Sequence, residues 1–112
     1  MTGPGRVWRP AARRDVVELA AYYAAEGGVV LEVGFLDALE ATLDLITRHP
    51  YSGATRHADL FPELPAKLRF HPLRRFERIL VYYTSVSGRV EIIRVWNAAR
   101  GLDALLDDSN ND

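Results

Sequence analysis

Residues 78–97 (RILVYYTSVSGRVEIIRVWN) constrain the fold more than any other stretch of the chain. Residues 78–86 are rich in β-branched and aromatic side chains, which favour extended backbone. Ser87-Gly88 fits a tight reversal, and 89–97 forms the returning strand. In that strand the two-residue period puts Val90, Ile92, Arg94 and Trp96 on one face, opposite Glu91, Ile93, Val95 and Asn97. Both faces of the pair are therefore partly apolar. A sheet covered on one side only does not need that.

One cover for this sheet is legible upstream. Over residues 11 to about 26, Ala12, Val16, Leu19, Ala20 and Tyr23 recur at three- and four-residue spacing, the signature of one helical face. Pro10 suits the first helical position, and Asp15 and Glu18 lie near the start, where the helix dipole favours negative charge. Gly27-Gly28 stops the pattern. A second stripe follows in Phe35, Leu39, Thr42 and Ile46, widened by Leu36 and Leu43, and ends at His49-Pro50. Two helices joined around a glycine pair read as an antiparallel hairpin whose apolar faces need a sheet.

The remaining elements fill in the order. Val7 and Trp8, between Arg6 and Arg9, predict a short first strand. Residues 50–66 hold three prolines and a glycine without a period, and read as a long ordered loop. Residues 67–71 alternate, with Leu68 and Phe70 on one face. Gly101 breaks the last strand, and Leu102, Leu105 and Leu106 suit a final helical turn. The reading is an α+β fold: a helical hairpin on a twisted antiparallel sheet, in the order β-α-α-β-β-β with a short C-terminal helix. Residues 1–112 are expected to form a single domain, with an ordered core over about 6–106 and flexible tails at 1–5 and 107–112.

Composition narrows the function. With 112 residues there is room for one core. The absence of cysteine excludes a disulfide scaffold, a thiolate metal site and a thiol nucleophile, and suits a reducing cytoplasm. No apolar run approaches the ~18 residues that span a bilayer, so no membrane partner is expected. The net charge of −1 conceals a polarised chain. Residues 15–63 carry nine acidic and two basic groups, and residues 64–100 carry two acidic and eight basic ones. A cationic half of this kind attracts an anionic partner, either nucleic acid or an acidic protein segment.

Classical catalytic patterns are missing. His49, His57 and His71 are scattered without a partner at metal-ligand spacing, so no metal or cofactor is expected. There is no phosphate-cradling glycine loop, and no serine sits at a sharp nucleophile turn. What remains is arginine and aromatic chemistry on the sheet. Arg74, Arg75, Arg94 and Arg100 are candidates to grip carboxylates or phosphates through paired hydrogen bonds. Tyr82, Tyr83 and Trp96 are candidates to stack on bases or to pack, there or in the core.

Four segments together, "WRPAARRD" at 8–15, "FLDALEATLDLITRHPYSG" at 35–53, "HPLRRFERILVYY" at 71–83 and "VEIIRVWNAARGLDALL" at 90–106, resemble the ParE branch of the RelE/ParE toxin superfamily. The resemblance runs in matching order from about residue 6 to 106, and its specificity lies in the conjunction. It implies a helical hairpin on a twisted antiparallel sheet with the first strand at or near an edge. It also implies the toxin of a bacterial type II toxin–antitoxin system, associated with growth inhibition and plasmid stabilization. Such a toxin is held inactive in a hetero-oligomer by a cognate antitoxin, whose C-terminal segment folds across its surface. Toxins of the ParE branch poison DNA gyrase, whereas those of the RelE branch cleave messenger RNA on the ribosome.

The residues bear on the branch. Ribosome-dependent cleavage through the 2′-hydroxyl needs a positioned base, acid and cation. Here the C-terminal segment, GLDALLDDSNND, has no tyrosine, histidine or lysine, so a ribonuclease would have to rely on Arg100, Arg78 and Tyr82. The non-enzymatic gyrase-directed reading is preferred. On it, Arg74, Arg75, Arg94, Arg100, Tyr82, Trp96 and Asn97 form the surface for target or partner, on the side of the sheet away from the hairpin. One departure stands out: the branch commonly has histidine-glycine-alanine-arginine-aspartate after the last strand, and this chain has Asn97-Ala98-Ala99-Arg100-Gly101. That leaves a non-toxic, antitoxin-binding member as the third alternative.

Overall fold

A computed structural model describes residues 5–110. The elements are β1 (Arg6–Trp8), α1 (Pro10–Arg48), β2 (Arg69–Leu73), β3 (Phe76–Val86), β4 (Arg89–Asn97) and α2 (Leu102–Asn110), with short 3-10 turns at Ala58–Leu60 and Ala98–Arg100. The expected tails at 1–4 and 111–112 lie outside the described residues. Residues 107–110, expected as tail, are instead the last turn of α2.

Helix α1 is the predicted hairpin. Its backbone leaves helical geometry only at Gly27 and Gly28, which divide it into arms over 10–26 and 29–48. Gly28 sits at φ 72°, ψ −166°, a conformation essentially reserved for glycine, so the reversal depends on that residue. Pro10 occupies the first turn, as its missing N–H allows. The first arm buries Ala12 and Val16 and the second Phe35, Leu39, Leu43 and Ile46, in one cluster with Ile79, Val81, Tyr83, Val90, Ile92 and Val95 of the sheet.

The sheet runs in the order β1-β4-β3-β2. Strands β2–β3 and β3–β4 are antiparallel, but β1 lies parallel to β4, so the sheet is mixed and not antiparallel throughout. The reason is the hairpin, which returns the chain to its starting end. Arg6 of β1 donates to Thr47, Glu40 and Asp44 on the second arm. β2 therefore sets out in the direction of β1, and only β3 runs against the rest. β1 is an edge strand, and Ser87 and Gly88 both have positive φ, as a tight β3–β4 turn requires.

Strand β4 departs from simple alternation. Tyr82 pairs with Arg94 and Tyr83 with Ile92, leaving Ile93 as an extra residue. This bulge breaks the face predicted for Val90, Ile92, Arg94 and Trp96: Val90 and Ile92 pack under the hairpin, while Ile93 and Trp96 join the opposite side.

That opposite side is not open. Phe61 and Leu68 of the 50–68 segment and Leu105 of α2 close over Phe70, Leu80, Tyr82, Ile93 and Trp96 as a second core, with Ala54, Leu60, Leu64 and Leu106 at its margin. The segment is pinned by two tyrosine hydroxyls. Tyr82 shares a 2.9 Å hydrogen bond with His57 Nδ1. Tyr83 donates to the Pro50 carbonyl at 2.8 Å and accepts from Gly53 N–H at 3.0 Å. A side chain at position 53 would meet that hydroxyl at 2.5 Å, so Gly53 is needed for the close approach.

At the outer edge of β4, β1 pairs only with Val90–Ile92. Beyond it the first turns of α1 take over. Asp15 accepts the Val95 N–H at 2.9 Å and both Nε and Nη2 of Arg94 at 2.7 Å. Arg94 in turn donates to Asp108 at 2.6 Å and Ser109 at 2.7 Å on α2. Asp15→Ala should therefore lower stability by about 3–5 kcal/mol, because it strands a buried guanidinium and a strand N–H. Asp108, whose side chain is half exposed (51%), should cost less than about 1 kcal/mol on the same change. Denaturant unfolding of the two variants checks the ranking.

Candidate functional site

The sequence-predicted surface residues separate into buried and exposed sets. Arg94 is 2% exposed, Trp96 1% and Tyr82 0%, so none of the three is presented to a partner in this conformation. Burial alone would depress the Arg94 pKa, but the hydrogen bonds and charge of Asp15, followed by those of Asp108, outweigh it and raise the pKa. Arg94 is thus a permanently charged internal strut. Trp96 donates Nε1–H to the Gly101 carbonyl at 3.1 Å and carries the guanidinium of Arg94 over its ring. Tyr83 lies in the hairpin-side core.

The other four predicted residues gather at one end of the sheet. Arg74 and Arg75 form the two-residue turn between β2 and β3, and both are exposed. Asn97 closes β4, pairs with Ile79 and caps the following 3-10 turn by accepting the Ala99 N–H at 2.9 Å. Arg100 leaves that turn with its guanidinium 4.0 Å from the Trp96 ring centroid. Arg78, offered from sequence only for the ribonuclease alternative, is exposed at the start of β3, one residue from Ile79. The guanidinium groups of Arg74, Arg75 and Arg78 make no hydrogen bond or ion pair among the described residues. Arg6, Arg9, Arg48, Arg69 and Arg94, by contrast, all spend theirs internally.

Beside this cationic end lies a groove of about 290 Å³, walled by Glu18, Leu19 and Tyr22 of α1 and by Trp96, Asn97 and Arg100. A ring ladder links groove to turn: Tyr22 meets Tyr23 at 5.2 Å, and Tyr23 meets Phe76 at 5.0 Å. Tyr22 is 53% exposed. At the hairpin tip Val29, Val30 and Val33 are also exposed. Sequence reasoning missed these apolar contributors, since each falls on a helical face that composition alone makes look solvated. It also read Asp15 only as a partner of the helix dipole, whereas the side chain is buried. The available signal was its position between Ala12 and Leu19, on the buried stripe.

The proton carrier offered by the sequence, Tyr82, is sealed, and burial raises its pKa. No group of three or more histidine, cysteine, aspartate or glutamate residues among those described is arranged to hold a metal. No helix among them is long and apolar enough to cross a membrane.

A hairpin laid on a four-stranded mixed sheet, with a cationic rim at one end, makes a small α+β fold. The family model described as "ParE toxin of type II toxin-antitoxin system, parDE" matches residues 6–102, and the chain belongs to that family. Among solved structures, a chain from "Chromosomal ParDE TA system from P. aeruginosa" superposes with a TM-score of 0.65 at 16% identity. The match covers 83% of this chain and 94% of that one. No curated protein sequence matches.

The pinning histidines give the fold an acid limit. Burial, and then the charge of Arg56, lowers the pKa of His57, and burial lowers that of His71, whose Nε2 lies 2.8 Å from Ser52 Oγ. Both pKa values fall below the 6.5 of the unfolded chain. Unfolding therefore takes up protons there: stability is intact above 6.5 and declines as the pH falls from there through the folded-state values. The thermal midpoint should drop as the pH falls below 6.5, and His57→Gln with His71→Gln should flatten that slope.

Proposed function

We propose that this ParE-family toxin inhibits DNA gyrase by binding, without chemistry of its own, and is neutralised in a hetero-oligomer by a cognate antitoxin in the cytoplasm. The observation that carries this reading is the set of unspent guanidinium groups, Arg74, Arg75 and Arg78, at the rim beside Arg100 and the groove. Exposed cations without internal partners raise association rate and specificity for an acidic protein surface. Among the predicted contacts Asn97 lines the same groove. Of the buried candidates, Trp96 carries Arg100 over its ring, whereas Arg94 and Tyr82 are internal.

Messenger-RNA cleavage on the ribosome is the weaker reading. It needs an accessible proton carrier beside Arg78 and Arg100, and Tyr82 has no exposed surface. For the antitoxin, the exposed Val29, Val30 and Val33 together with the arginine rim suit an acidic segment carrying apolar anchors.

Supercoiling by purified gyrase is the test. The protein should inhibit it, and charge reversal at Arg74, Arg75 and Arg78 together should weaken inhibition on the order of tenfold or more while leaving the fold intact. Absence of inhibition at stoichiometric excess removes the gyrase reading. If expression without antitoxin then leaves growth untouched, antitoxin binding alone remains as the role.

A further inference from the structure

Among the described residues, two other than glycine adopt positive φ: Ser87 at 52° and Arg75 at 70°. Ser87 is short and is followed by Gly88 in a turn that requires the left-handed region. Arg75 is different. It is the second residue of a two-residue turn, a place that glycine or asparagine fills without steric cost and a long side chain does not. The flanks dictate this geometry. Leu73 is fully buried and pairs with Phe76, which packs 5.0 Å from Tyr23 and 6.0 Å from Phe35. The Arg75 N–H donates to the Glu77 carboxylate, so Glu77 is engaged by the turn's own backbone.

The fold thus has no use for arginine at position 75. Its side chain is exposed, and its guanidinium binds nothing among the described residues. A residue that strains the backbone without contributing a contact points outward, to a partner. We propose that Arg75 is the anchoring cation of the binding rim, presented by a strained turn to a carboxylate on an acidic polypeptide segment. Arg74 and Arg78 flank it, and the ring ladder through Phe76, Tyr23 and Tyr22 leads to the groove, where a bulky apolar side chain of the same segment fits. A planar guanidinium grips a carboxylate through two parallel hydrogen bonds.

A polypeptide fits better than a nucleic acid. Trp96, the large ring a base would stack on, is buried and covered by Arg94 and Arg100. Glu18 stands beside Tyr22 in the groove, which therefore suits an uncharged apolar side chain, available in a polypeptide, and not a phosphate. The inference rests on the protein-binding reading above but identifies the ligand class and the residue that selects it.

Arg75→Asn separates the two demands on this position. It should unfold at the same temperature as the parent or a few degrees higher. It should also bind a polyglutamate peptide, followed by amide shifts at 73–78, about tenfold more weakly or worse, and inhibit gyrase correspondingly less. Arg75→Lys, which keeps the charge but not the fork, should fall between. If Arg75→Asn matches the parent in peptide binding and in gyrase inhibition, the proposal fails while the gyrase reading stands. If the parent never inhibits gyrase but Arg75→Asn still loses the peptide, the gyrase reading fails and the acidic-ligand site stands. A single-stranded RNA that displaces the peptide at lower concentration overturns the ligand class. A fall in thermal midpoint that Arg75→Gly shares would make Arg75 a structural residue and overturn its assignment.

Discussion

The carboxylate of Asp15 meets three needs at once, and the closure of this molecule depends on it. β1 is too short to cover the outer edge of β4, which would leave the Val95 N–H unpaired in the interior. Asp15 supplies the acceptor from the first arm of the hairpin, and the same oxygens neutralise Arg94. Removing an ion pair from water is expensive unless its remaining hydrogen-bonding capacity is also used. Here it is used, because Asp108 and Ser109 take the outer N–H groups and so dock α2. One acidic residue ties hairpin, sheet edge and C-terminal helix together.

This arrangement sorts the arginines by role. Three strand arginines are consumed by the fold: Arg6 by Glu40, Asp44 and Thr47, Arg69 by the carbonyls of Tyr51 and Gly53, and Arg94 by Asp15 and Asp108. The rim at Arg74, Arg75 and Arg78 is left with charge and no ion-pair partner among the described residues. The near-zero net charge therefore conceals a local excess where the β2–β3 turn emerges. Function, on this view, lies where the fold's own electrostatics fail to close.

Much of this architecture was legible in the sequence. The helical stripes on either side of Gly27-Gly28, the β3–β4 reversal and an edge position for the first strand follow from local pattern and family resemblance, and all are present. The parallel placement of β1 was not, because direction depends on where a long hairpin returns the chain, and residue periodicity does not encode that. The bulge at Ile93 was equally hidden, and it split the face predicted for β4, turning Val90 and Ile92 under the hairpin and leaving Trp96 on the far side. The apolar second side of the sheet was read correctly as needing a cover. The error was to reserve it for another molecule, because residues 50–68 and α2 carry no period strong enough to announce that they pack. Of the predicted contact residues, Arg74, Arg75, Asn97 and Arg100 lie on the exposed end, whereas Tyr82, Arg94 and Trp96 are buried.

Native-state hydrogen exchange at the Val95 amide tests most directly whether Asp15 holds the structure closed. If it does, that amide exchanges only when the whole domain unfolds, with the protection of the central β3–β4 amides, while amides of α2 open more readily by local detachment. Exchange at Val95 as fast as at α2 would show that the edge opens on its own, and would contradict the account.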